Sequence, residues 1–316
     1  MGKMLFFKFV LTPLLVVGFN TTALAERGDT PVGGDHENQL LTIKELTEQG
    51  HYLEAILRSE DNTNYKPLGE IIAAAKSAWA LSLVSSARKY WDQALSHKDC
   101  VGVEKARALL ALGLIEFQEH NYERSRSLAE EGVAEISESD LRGELWLLVG
   151  ESLKAQELYS LAEGYLEKAG YESSGVRKQE AYLSLAQVQK QLGKLNEARS
   201  TLTRIELSSS VTTRALSELV TIDAKAKNSQ GVRTWIGEGR KSFPSEFNTS
   251  ETGYNIVKAL VSEGLINDAT SEVQKVTKEV HEDDVWFQLS RALVEEYSGR
   301  EYLESLSANS NKNLNR

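Results

Sequence analysis

The chain has 316 residues, a formal net charge of −10, four prolines and a single cysteine, Cys100. Such acidity argues against a nucleic-acid binder, whose footprint is basic, and one cysteine rules out an intramolecular disulfide. So few prolines over so long a body leave almost no helix breakers, which favours helices throughout.

In chain order, residues 1–25 read as a secretory signal peptide. Lys3 and Lys8 supply the charge, Phe9 to Phe19 form an apolar run, and Ala23-Leu24-Ala25 is a small-x-small cleavage site before Glu26. The run is far shorter than the roughly 20 residues a membrane-spanning helix needs. Cleavage between Ala25 and Glu26 would leave a mature chain of net charge −12, periplasmic or secreted, with no integral span. Residues 26–36, with Thr30-Pro31 and Gly33-Gly34, read as a flexible lead-in. The polar, aromatic-free segment 307–316 reads as a disordered tail.

Between them, residues 37–306 repeat. Gly50-His-Tyr-Leu-Glu-Ala55, His120 to Ser125, Glu157 to Ala162, Gly193 to Ala198 and Gly264 to Ala269 each place a turn-compatible residue five before a small one. Weaker copies sit at Ser82 to Ala87 and Ala226 to Gly231. The small anchors follow one another at 32, 38, 37, 36, 33 and 38 residues, the period of stacked helical hairpins. Ahead of the turns, Leu109 to Gly113, Trp146 to Gly150 and Tyr182 to Ala186 set a large residue four before a small one, so that bulk and its absence share one helix face. Seven past the anchors, Ala94, Gly132, Ala169 and Val276 place a second small or apolar residue two turns on.

Trp146, Val149, Gly150, Tyr159, Ala162 and Ala169 together resemble the tetratricopeptide repeat, and the other units match about half of that motif. The resemblance implies an all-α, right-handed superhelical solenoid of seven to eight hairpins whose first helices line a concave groove. It also implies that the fifth position of each first helix faces the groove, here Leu40, Ile72, Leu110, Leu147, Leu183, Leu216, Tyr254 and Phe287. Seven further on come Trp79, Phe117, Val261 and Val294. An exposed apolar patch of Ile72, Trp79, Leu110, Leu114 and Phe117, extended by Leu147, is therefore the expected partner-binding surface. The lysine and asparagine clamp with which some members of this family grip a terminal carboxylate is not matched: Lys44 and Lys76 are present, but the asparagines are not.

No catalytic, cofactor or metal site is expected. The sequence holds no nucleophile elbow, phosphate loop or His-Glu-x-x-His helix. Ser86-Ala-Arg-Lys89 has no companion motifs, and His281-Glu-Asp-Asp284 reads as a helix cap rather than a ligand set. The function expected is a non-catalytic scaffold or assembly factor of the bacterial envelope that binds a client protein in its groove. The alternative is a regulator that docks on an envelope enzyme such as a wall hydrolase or synthase.

Overall fold

A computed structural model describes residues 41–61, 66–137, 139–206, 211–276 and 283–314, and among them every regular element is helical. The expected signal peptide, the lead-in and residues 37–40 lie outside the described residues. Among the described residues sixteen helices follow in order, fourteen of them forming seven hairpins. The hairpins are α1 (Ile43–Glu48) with α2 (Tyr52–Asp61), α3 (Leu68–Ala80) with α4 (Val84–Leu95), and α5 (Gly102–Gln118) with α6 (Tyr122–Glu135). After them come α7 (Ser139–Ala155) with α8 (Tyr159–Glu172), α9 (Gly175–Gln191) with α10 (Leu195–Leu202), and α11 (Thr212–Lys225) with α12 (Ser229–Ser242). The one-turn helix α13 (Pro244–Phe247) precedes the last pair, α14 (Ser250–Ser262) with α15 (Ile266–Val276), and α16 (Val285–Leu314) closes the described chain.

Each hairpin closes with the same turn. Gly50, Ser82, His120, Glu157, Gly193, Lys227 and Gly264 all take positive φ, between 54° and 78°. The next backbone N–H then reaches back to the carbonyl five residues earlier, as from His51 to Leu46 at 2.8 Å and from Asn121 to Glu116 at 2.9 Å. This is the Schellman closure, which satisfies carbonyls that a helix end would otherwise leave bare. Five residues past the left-handed position sits a fully buried anchor: Ala55, Ala87, Ser125, Ala162, Ala198, Val232 or Ala269. The sixth anchor corrects the sequence reading by one residue. Lys227 rather than Ala226 takes the left-handed conformation, so Val232 replaces Gly231 and the last two spacings become 34 and 37 residues.

The first helices form an inner layer, the second helices an outer one. Apart from α3 and α5, each inner helix packs on the next inner helix, and each outer helix except α12 packs on its own inner helix and the following one. No outer helix packs substantially on the next. Inner spacing shorter than outer spacing curves the stack with the inner helices on the concave side. Glycines set the closest approaches. A Cβ on Gly113 would meet Leu148 Cδ2 at 2.8 Å, and one on Gly132 would meet Leu145 Cδ2 at 2.8 Å. Between α12 and α14 the pattern is interrupted by α13, whose Phe247 is fully buried against the bare face of Gly239.

Both ends of the described array are helical. Thr42 caps α1 in a capping box, its Oγ1 accepting from Glu45 N at 3.2 Å while Glu45 Oε2 accepts from Thr42 N at 2.7 Å. At the other end α16 continues to Leu314, so the tail expected to lack structure from residue 307 is helical that far. Nothing in 285–314 breaks a helix by proline, and its exposed Arg291–Glu295 and Glu296–Arg300 pairs have favourable i,i+4 spacing.

Candidate functional site

The turn register shows which inner-helix side chains face the groove. Six residues before each left-handed residue stand Lys44, Lys76, Leu114, Glu151, Gln187, Thr221 and Lys258, none of them buried. This open line lies one turn beyond the positions that the family resemblance implied. Most of those earlier positions are core: Ile72, Leu110 and Leu147 are only 8 %, 6 % and 5 % exposed, and Leu183, Leu216 and Phe287 are also buried, while Tyr254 is half-buried. They fill the seams between neighbouring helices, which corrects the expectation that Ile72, Leu110 and Leu147 form an exposed strip. Trp79, Leu114 and Phe117 are half-buried and packed on the core, so of the six expected partner-binding residues only these three reach the surface. Phe117 also turns its ring edge to Tyr122 of the outer helix α6, with centroids 5.2 Å apart. Leu40 lies outside the described residues.

The groove is therefore polar over its central third. Lys154 Nζ donates to Glu151 at 2.8 Å, to Gln187 Oε1 at 3.2 Å and to Ser184 Oγ at 3.3 Å, tying α7 to α9. Gln187 Nε2 donates to Glu218 Oε1 at 3.1 Å and Lys190 pairs with the same carboxylate, tying α9 to α11. Nearer the edge, Arg177 pairs with Glu180 at 2.8 Å and Glu144 at 3.6 Å. Burial pushes the Glu144 carboxyl above the usual range, and the Arg177 guanidinium opposes that shift. The missed signal was the charge itself: Lys, Gln and Glu at corresponding places of successive inner helices make a ladder only if those helices are neighbours.

Toward the first hairpins, Lys44, Glu48, Glu104 and Arg107 lie within electrostatic reach of Lys76. Burial lowers the Lys76 pKa, and Arg107 and Lys44 act in the same direction against Glu104 and Glu48. A lysine pKa below its unfolded value means that the ionised side chain costs stability at neutral pH, and that this cost disappears as pH rises above the unfolded pKa. Lys76→Met is expected to raise neutral-pH stability by up to about 1 kcal/mol, with the advantage shrinking at alkaline pH. Urea unfolding at both pH values measures it.

Elsewhere the residues singled out in sequence have structural places. Asp284 caps α16, its Oδ1 accepting from Phe287 N at 3.0 Å, as read from sequence, while His281 and Glu282 lie outside the described residues. Cys100 is buried, and Ser86 and Lys89 lie on α4. Among the described residues no group of three or more histidine, cysteine or carboxylate side chains is placed to hold a metal ion, and no helix is long and apolar enough to cross a membrane. On the outer face of α2, Leu53 and Leu57 are 60 % and 53 % exposed. In every other hairpin both of these positions are small or polar.

The chain has the tetratricopeptide-repeat fold, an all-helical solenoid of hairpins closed by one recurrent turn. No family model and no curated protein sequence matches it. Among solved structures it is similar to the Cut9–Hcn1 hetero-tetramer of APC/C, with 13 % identity and a TM-score of 0.54 over 81 % of this chain and 48 % of that one. The chain thus spans about half the length of that neighbour. It is also similar to a Rap protein complexed with Competence and Sporulation Factor, with 14 % identity and a TM-score of 0.50 over 84 % of this chain and 80 % of that one. YrrB, a TPR protein with an unusual peptide-binding site, aligns at 18 % identity and a TM-score of 0.44 over 61 % of this chain and 92 % of that one.

Proposed function

We propose that the chain is a non-catalytic protein-interaction scaffold whose concave groove binds a peptide or helix of a client protein. The observation that carries this reading is the open line from Lys44 through Lys76 and Leu114 to Glu151. It offers apolar contact at Leu114, with Phe117 on the same helix, between charged groups on either side. Such a mixed surface suits an amphipathic segment, the apolar side chains giving affinity and the charges giving register. A protein of similar fold is complexed with Competence and Sporulation Factor, which supports a binding role for this fold. The basic, apolar, then small N-terminal sequence supports export, which would place the client in the envelope and the scaffold among its assembly factors.

Photo-crosslinking in the native host tests this directly. A photoreactive residue at Leu114 is expected to capture an envelope protein, and the same probe at buried Ile72 is expected to give only intrachain products. Leu114→Glu should lower capture by a nearby probe at Phe117 while circular dichroism shows unchanged helix content. Intrachain products alone at Leu114 and Phe117 would mean that the groove is not the binding face.

A further inference from the structure

A cleft of about 520 Å³ opens on the outer face, between α8 and α10 and above α9. The turn register explains why it is there. Eight residues past the left-handed position, the other outer helices carry Arg58, Tyr90, Leu128, Tyr165, Trp235 and Glu272, whereas α10 carries Thr201. Threonine is the smallest side chain of that set, and α10, at 8 residues, is the shortest outer helix of the seven hairpins. Both features leave the last turn of α8 uncovered, so Tyr171 stands 88 % exposed at the rim.

Polar groups converge on the cleft. Gln189 lines it while only 5 % exposed; its Oε1 accepts from Thr201 Oγ1 at 2.8 Å, and its side-chain amide N–H groups have no partner among the described residues. At the corresponding place, four before the left-handed residue, the other inner helices carry Leu46, Ala78, Glu116, Leu153, Asp223 and Leu260, so Gln189 is one of three polar residues there and the only amide. Its amide nitrogen is open to the cleft rather than sealed from solvent, and a ligand carbonyl there can accept from it. Glu167 and Glu197 line the cleft too, and neither makes an ion pair among the described residues. Both carboxylates act on neighbouring Lys194, whose pKa is raised chiefly by its hydrogen bonds to Glu163 and further by Glu197 and Glu167. Arg204, the one cation of the lining, sits 5.9 Å from the centroid of Tyr182, as does Lys178. The two carboxylates outnumber the single cation in the lining.

We propose that this outer-face cleft is a second binding site, separate from the concave groove, that takes an extended basic peptide segment of a partner protein. The peptide's carbonyl groups accept from Gln189 and Arg204, a lysine or arginine side chain lies between Glu167 and Glu197, and Tyr171 offers its ring to that cation or to an aromatic neighbour. A peptide supplies acceptors and a cation together, which neither a simple anion nor an apolar ligand does.

Fluorescence anisotropy of the full chain with labelled Gly-Arg-Tyr-Arg-Gly, against Gly-Glu-Tyr-Glu-Gly as comparator, tests the assignment. The basic peptide is expected to bind saturably and the acidic one not at all. Thr201→Trp, which refills the cleft as Trp235 does in α12, should weaken binding by about tenfold or more. Gln189→Leu, which places there the residue found in α1, α7 and α14, should weaken it by about three- to tenfold with helix content unchanged. Leu114→Glu, in the groove, should leave it unaltered. Absence of binding by the basic peptide overturns the proposal. So does equal binding by the wild-type and Gln189→Leu chains, which would reduce it to diffuse attraction toward an acidic protein. Comparable binding of the acidic peptide would also overturn it.

Discussion

Replacing Gly150 by leucine is expected to destabilise the chain by about 3 kcal/mol, at the upper end of what overpacking a core costs. Gly150 lies on α7 where α8 comes closest. A Cβ there would meet Leu166 Cδ2 at 2.5 Å and Cγ at 2.6 Å, with the Leu166 backbone nitrogen at 3.4 Å behind them. Leu166 is fully buried and has no room to retreat, so the added side chain must part the two helices. Gly164 on α8 supplies the contrast within the same hairpin. Nothing lies within 4 Å of a Cβ built there, so Gly164→Ala is expected to stabilise by up to about 1 kcal/mol through helix propensity. Because a solenoid is stabilised by nearest-neighbour terms, Gly150→Leu should speed amide exchange in α5 to α10 and spare α1 and α2. Urea unfolding of both variants, with exchange mapped by helix, checks sign, size and reach. A loss below about 1 kcal/mol for Gly150→Leu would show that α8 shifts at little cost.

The hairpins were legible because their turns are spelled locally. Gly50, Gly193 and Gly264 announce a left-handed residue outright, since glycine alone adopts that conformation without a Cβ penalty. Ser82, His120, Glu157 and Lys227 take it under tertiary constraint, and only the buried anchor five residues on betrays them. At Lys227 two adjacent candidate anchors, Gly231 and Val232, left the register ambiguous by one. Groove and seam were harder to separate, because an inner helix buries apolar side chains against its own partner and both neighbouring inner helices. Its apolar stripe is then too wide for periodicity to say which edge is open. Leu110 and Leu114 look alike in sequence, one turn apart, yet the first is buried in the seam and the second half-open to the groove. The α8–α10 cleft was invisible for a different reason. It arises from a small residue, Thr201, where other repeats have large ones, and such a difference has meaning only after the turns have aligned the repeats.

Asp223→Ala should cost about 2–3 kcal/mol, and the reason lies in how many elements its carboxylate joins. Asp223 is fully buried on α11. Its Oδ2 accepts from Arg199 Nη2 of α10 at 2.9 Å and from Trp235 Nε1 of α12 at 2.6 Å, and its Oδ1 accepts from Asn228 Nδ2 at 3.3 Å. Asn228 in turn caps α12 by accepting from Gly231 N at 3.1 Å, and Gly231 must lack a side chain because a Cβ would fall 2.2 Å from Asp223 Oδ2. One carboxylate thus ties the outer helix of one hairpin to both helices of the next. Arg199 is 39 % exposed and can rehydrate when its partner is removed, which keeps the loss below that of a wholly buried ion pair. The Trp235 N–H cannot do so as readily, being half-buried, and it carries most of the expected loss. Asp223→Asn retains one acceptor oxygen and turns an amide donor toward the remaining donors, so it should fall between wild type and alanine. Chemical denaturation of the two variants orders them. Equal losses would mean that the charge matters and the acceptor geometry does not; a loss under about 0.5 kcal/mol in both would remove this carboxylate from any account of how the last hairpins are held to the rest of the stack.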